Sequence, residues 1–360
     1  MLALYLSDIH LDASTIALIT SATPLFSLAT QPFLGSLADR VQSPRKVALI
    51  ALGMSVLFDL LFMSTHFIPL LLISSATVLS LYNAVTPLTD RIGVSSPYDF
   101  GKVRMWGSIG FAIAAQICGI IYDVIAPISI FVLFIFGTII TMYCIFMVLD
   151  PVFAEKGDSN ETYDAKQAYK ALFHNSRFMI FLLITIFFWG ANTCNFTYIS
   201  VFFKSVGGTA SQVGTYQLFA TMFEVPAILA TDFVIKKFSY KTIMIFTCVM
   251  SIVNFVWYAT LPSPSAIIAV FVFKGLSTVL FTMIQVRLMM EIVDERYVST
   301  AFGLQAMAGR GLGAVVVQMI AGHIIDAFPT MSPYYFFLTG LIVVSLLFSF
   351  LFKEKPRTSH

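Results

Sequence analysis

The sequence predicts an all-α protein that crosses a membrane many times and is built as two related halves. Three observations predict this class. Of 360 residues, 58% are hydrophobic and 11% charged, whereas about a quarter of a soluble chain is charged. Apolar runs close to the ~20 residues that a helix needs to cross hydrocarbon recur along the whole chain. The chain also repeats itself: Gly110, Gly119 and Asp123 return 203 residues later as Gly313, Gly322 and Asp326. Both copies are glycine-studded apolar runs that begin beside basic residues and end on an aspartate, which points to internal duplication.

Inside lipid every backbone amide must find its partner within the structure, and the runs are too long and too continuously apolar for barrel strands, so they read as helices. The opening residues, MLALYLSDIHLDAST, carry no basic leader, so a cleaved signal is not expected. They read as the tail of a span whose beginning is absent, giving eleven full spans plus a stub. Asp12 or Ser14 is placed to cap span 2, residues 14–38. Spans 3 to 6 follow at 47–63, 68–91, 100–123 and 128–149, and spans 7 to 12 at 178–203, 212–235, 242–261, 265–290, 300–328 and 334–352. Proline and glycine in VSSPYDFGK mark the turn into span 5.

The expected organisation is an N-terminal bundle (1–150), a polar linker (151–177), a C-terminal bundle (178–352) and a basic tail (353–360). Part of the linker, 163–173, reads as helical. If the spans alternate, Arg40, Arg45, Lys46, Arg91, Lys102, Lys236, Lys237, Lys241 and Arg296 fall on one side with the basic residues of linker and tail. The other side holds Lys204 alone. By the positive-inside rule the linker and the C-terminus are cytoplasmic and the protein sits in the cell membrane.

A net charge of +2 is too small to suggest nucleic acid. Cys118, Cys144, Cys194 and Cys248 all lie in apolar runs, as buried thiols do, and form no disulfide or zinc pattern. No phosphate loop, metal-spaced histidine pair or nucleophile elbow stands out, so no catalytic residue, metal or cofactor is expected.

The turn after span 2, Gly35 to Arg40 followed by Arg45 and Lys46, resembles the loop signature of the major facilitator superfamily, with Ser43-Pro44 where the family usually has glycine. A worn copy follows span 8: Asp232, Lys236, Lys237 and Lys241. FGKVRMWGSIGF is similar to the start of span 5 in the lactose permease type of oligosaccharide:proton symporter. The resemblance implies the major facilitator fold, two six-helix bundles related by a pseudo-two-fold axis, working as a monomer. It also implies that Arg104 holds sugar hydroxyls, Ser108 lines the cavity and Phe111 stacks on the sugar. The family's acid in span 4 falls on Thr86 here, and of its lysine, histidine and glutamate in span 10 only Lys274 remains, beside Ser277 and Leu280.

Ionisable residues inside spans cost about 2.5–3.5 kcal/mol on insertion scales, so each is a functional candidate. Glu224, two residues before Pro226 in span 8, reads as a proton carrier, with a static ion pair to Lys274 as the alternative. Lys274 and Arg310 carry the same double reading. Gly35, Asp39, Arg40, Arg45, Lys46 and Asp232 are gating candidates, because an acid at a helix C-terminus is unfavourable unless paired; a topology signal is their plainer reading. Asn192 and Asn195 share a helical face in WGANTCNFTY and can bind a hydrophilic solute or join helices. Glycines 107, 110, 119, 309, 311, 313 and 322 permit close helix approach.

Taken together these residues predict a secondary transporter that moves a small hydrophilic solute (sugar, nucleoside or related metabolite); coupling to a proton is what the resemblance implies, and Glu224 is a suitable acid. Its site is expected between spans 1, 4, 5, 7, 8, 10 and 11. Efflux of drugs or metabolites by proton antiport, and a non-transporting membrane sensor on the same fold, are the alternatives. The lipid bilayer, the solute and the proton are the expected partners.

Overall fold

The computed structural model describes residues 1–41, 43–94, 100–148, 165–294 and 297–353. The side chains of Asp39, Arg104, Asp232 and Lys236, the linker up to residue 164 and the tail from residue 354 lie outside the described residues. Among the described residues there is no strand. A first set of helices comprises α1 (Leu2–Asp8), α2 (Ala13–Val41), α3 (Pro44–Met63), α4 (Ile68–Val94), α5 (Phe100–Val124) and α6 (Ser129–Met147). After the short linker helix α7 (Ala165–His174), a second set comprises α8 (Ser176–Ser205), α9 (Ala210–Lys237), α10 (Tyr240–Ala259), α11 (Pro264–Ala269), α12 (Phe271–Ile292), α13 (Val298–Ala306), α14 (Ala314–Ala327) and α15 (Ser332–Leu351).

Ten helical stretches are long and apolar enough to cross a membrane among the described residues. Two spans depart from the single helices that the sequence suggests. Span 10 breaks at Val270 into α11 and α12. Span 11 is interrupted by a π-helical turn, Met307–Gly313, holding Gly309, Gly311 and Gly313. Glycine weakens the α-helix, and a wider turn of this kind is common at functional sites.

Local sequence also explains the helix starts. Ser43 and Ser239 each accept a backbone N–H three residues on, from Lys46 and Thr242, both at 3.2 Å. Thr209 and Gln212 form a reciprocal capping box at the start of α9. In the first set α2, α3 and α4 pack together and α6 lies on α3; in the second, α8 packs on α14 and α15, and α12 on α9 and α10. The two sets meet along α5–α9 and α2–α14.

Candidate functional site

The duplicated aspartates end the two helices that bridge the sets, and each caps a helix of the opposite set. Asp326, at the end of α14, accepts the backbone N–H groups of Ala13 (2.7 Å) and Ser14 (2.8 Å) at the start of α2, and the Ser14 hydroxyl as well. Asp123, at the end of α5, accepts those of Ala210 (3.0 Å) and Ser211 (2.7 Å) at the start of α9. The cap of α2 thus comes from another helix rather than from Asp12, and Ser14 joins it as a donor. Each carboxylate is unfavourable to its own helix dipole but meets the positive end of its neighbour's.

Beside each cap a glycine lets the backbones touch. A Cβ on Gly322 would lie 2.7 Å from the Ala17 Cβ, and one on Gly119 would lie 2.9 Å from the Ser211 Cα. Gly107 and Gly110, by contrast, have open space around them. Lys204 pairs with Asp8, which also accepts the Tyr122 hydroxyl, and Tyr198 donates to the Ala13 carbonyl at 3.0 Å. All these links lie at one end of the helices, the end at which α5 and α14 finish.

Behind this closed end lies a cavity of about 820 Å³. On α2 its lining runs from Thr20 to Pro32, and on the opposite wall from Gln318 back to Gly303, so it extends away from the clamps toward the other end. Polar groups come from both sets: Thr20, Thr23, Ser27, Gln31 and Asn83 from the first, Thr193, Thr197, Arg310 and Gln318 from the second. Gln318 bridges the walls, donating to Thr197 at 3.2 Å and accepting from Thr20 at 3.4 Å. The hydroxyl oxygens of Thr23 and Ser27, one helical turn apart, are buried without a hydrogen-bond partner. Such groups are expensive to leave bare, which suits a surface that a ligand completes.

Arg310 projects from the π turn with its guanidinium carbon 3.7 Å from the centre of the Trp189 ring. Trp189 donates to Gln285 at 2.8 Å, and Gln285 to Gln305 at 2.8 Å, so the platform is held from behind. Gly309 lets this turn lie close against α8: a Cβ there would lie 3.2 Å from the Thr185 carbonyl oxygen.

The other sequence candidates are distributed unevenly. Lys274 donates to Gln217 at 3.3 Å and faces the rings of Tyr216 and Phe196 at 5.5 and 5.8 Å. Glu224 lies within electrostatic range of Lys274. Among the described side chains the ion pair within 4.0 Å is Lys204 with Asp8, so Glu224 and Lys274 do not form the static contact. Neither lines the central cavity, and spans 5, 8 and 10 contribute nothing to its described wall. Ser108 is half-buried and Phe111 is 50% exposed, both away from the lining.

Asn192 and Asn195 do share a face, but it points into the second set. Asn192 donates to the Phe188 carbonyl at 2.9 Å, and Asn195 accepts the Tyr335 hydroxyl at 3.3 Å. The cavity takes the adjoining face instead, Thr193, Phe196 and Thr197, whose i, i+3, i+4 spacing was visible in the sequence. Of the gating candidates, Gly35 has nothing near it, Arg40 and Lys46 are exposed, and Arg45 donates to the Phe146 carbonyl at 2.6 Å at the end of α6. Lys241 does the same for the Phe350 carbonyl at the end of α15. A buried ionisable residue escaped the sequence reading: Asp59, four residues before the end of α3, is 3% exposed and its Oδ2 has no hydrogen-bond partner. A lone acid in VLFDLLF was the signal.

With this geometry in hand, comparison with known proteins is informative. A family model described as "MFS_1 like family" matches residues 1–337. The chain is 25% identical over 345 residues to the uncharacterized transporter YwbF of Bacillus subtilis (strain 168), covering 94% of this chain and 84% of that protein. It is 26% identical over 356 residues to the maltose permease of Geobacillus stearothermophilus, covering 96% and 89%. The crystal structure of the nucleoside transporter NupG shares its fold, with a TM-score of 0.85, 16% identity, and coverage of 98% of this chain and 94% of that one. A multi-pass helical protein with clamped bundles around one central cavity, matched over nearly its whole length by this family, belongs to the MFS_1 like family: it is a major facilitator transporter of the lactose permease-like branch, not an enzyme.

Proposed function

We propose that the protein moves a small hydrophilic solute, a sugar, nucleoside or related metabolite, across the cell membrane by alternating access as a proton symporter. One observation carries the reading: a cavity walled by both helix sets is sealed at one end by two equivalent aspartate clamps and extends toward the other. The positive-inside pattern makes the far end cytoplasmic, with linker and C-terminus on that side, so this is the inward-facing arrangement. The maltose permease and nucleoside transporter likenesses support a polyhydroxylated solute.

Glu224 is the proposed proton site. It sits in a proline-loosened stretch of α9 with Lys274 near but not locked to it, so a charge change there alters how α9 and α12 hold together. Opening of the clamps would be matched by closure at the cytoplasmic end, where Gly35, Asp39, Arg40, Arg45, Lys46 and Asp232 lie. Arg104, Ser108 and Phe111 on α5 would then approach the solute as that helix swings.

Counterflow of radiolabelled maltose, uridine and D-glucuronate in proteoliposomes, with and without a pH gradient, tests this. An inward proton gradient should drive accumulation of an accepted solute, and Glu224→Gln should abolish accumulation while leaving counterflow. Uptake indifferent to the gradient removes the proton from the mechanism.

A further inference from the structure

We infer that the solute carries a single carboxylate and that Arg310 is its anchor. This deepens the reading of the central cavity as the solute site, and rests on it.

Three observations converge. Among the described residues lining the cavity, Arg310 is the one charged side chain and none is an acid. A cation left without a counter-charge within a membrane span is costly, and a ligand that supplies the anion removes that cost. Second, the guanidinium is oriented but not used up. Its Cζ sits 3.7 Å over the Trp189 ring, a contact that consumes none of its N–H donors, and these can grip two oxygens side by side, the geometry a carboxylate matches. Third, the opposite wall adds donors. The unpartnered hydroxyls of Thr23 and Ser27 lie on α2, and Leu28 beside them reaches within 3.8 Å of the Cβ position at Gly311, next to Arg310. The five guanidinium N–H groups set the charge of a wall otherwise lined by hydroxyls and amides, which suits an oxygen-rich monoanion more than a cationic solute.

Arg310, the one charged side chain among the described lining residues, balances one negative charge, and Arg104 is left to the solute's hydroxyls, as proposed above. A phosphate monoester, near two charges at neutral pH, would be left half-compensated, so the carboxylate is the better match. The volume, about 820 Å³, admits a sugar acid or a small aromatic acid.

The test compares twins that differ only in the acid. D-glucuronate against D-glucose, and benzoate against benzyl alcohol, are titrated onto the full-length protein in nanodiscs, with tryptophan fluorescence as readout because Trp189 lies under Arg310. Glucose 6-phosphate provides the phosphate arm. The acid of at least one pair should bind ten-fold or more tightly than its neutral twin, with quenching lost in Trp189→Phe. In Arg310→Gln the ratio should fall toward one, and in Arg310→Lys it should be partly kept. No acid preferred over its neutral twin, or a preference intact in Arg310→Gln, overturns the assignment. Glucose 6-phosphate binding more tightly than glucuronate overturns the monocarboxylate. If Arg310→Gln does not insert stably, the wild-type ratio decides alone. Binding in nanodiscs needs no transport, so a kept acid preference without proteoliposome uptake would sink the transport reading and spare this one.

Discussion

In the second helix set, the thirty residues of α8 run through the centre, with Phe181, Phe188, Tyr198 and Phe202 fully buried against their neighbours. In the first set the equivalent place is held by the seven residues of α1. The equivalence is structural: α1 and α8 are followed by the same turn, with His10 (φ 64°) and Gly207 (φ 81°) in the left-handed region, and then by the clamped pairs Ala13-Ser14 and Ala210-Ser211. In the first set Asp59, Phe62, Phe131 and Thr138 border a cavity of about 480 Å³. The halves therefore agree at their clamped ends, where closure depends on a few helix-end contacts.

Crowding the clamps should have the largest effect. Gly322→Leu and Gly119→Leu each force bulk where even a Cβ is too close, at an expected cost of up to about 3 kcal/mol for overpacking. The clamped end should open, read as faster thiol labelling of a cysteine placed at Ser14 or Ser211. Opening by only one of the two would end the equivalence of the clamps. Asp59→Leu tests the interior instead: removing a buried, unpartnered carboxyl should stabilise the first set by about 1–3 kcal/mol, measured as a raised thermal midpoint in detergent. A lowered midpoint would mean that the acid holds that set together. Smallest, Asp123→Asn and Asp326→Asn should each cost about 1 kcal/mol, as lost helix caps do. The loss should be greater at Asp326, which also holds the Ser14 hydroxyl, and spin-label distances across α5–α9 and α2–α14 would show it.

Much of this architecture was legible in the residues, because the length of an apolar run is a local property. The repeat at Asp123 and Asp326 was equally visible, yet their targets were not: backbone amides have no sequence signature, and which helix end lies opposite is decided by packing. Periodicity related Asn192 to Asn195 correctly and could not say which side of α8 faces the cavity. It fixes relative angles around a helix, never their absolute direction. Arg310 was found as a charge in a span, whereas its seat on Trp189 depends on a π turn that three glycines permit without demanding. Asp59 was readable in principle, since no other ionisable residue occupies α3 between Lys46 and Met63.

The clamps also have a lopsided chemistry. Their acceptors are two aspartates that one base change can remove, but their donors are main-chain groups that nearly every residue supplies. Proline is the exception. Its ring is tolerated in the first turn of a helix and deletes the N–H, so Ala13→Pro or Ala210→Pro would subtract one bond from one latch while leaving both carboxylates in place. The backbone donors at those alanine positions therefore survive most substitutions, and the side-chain information in these bonds lies with the two aspartates and the Ser14 hydroxyl.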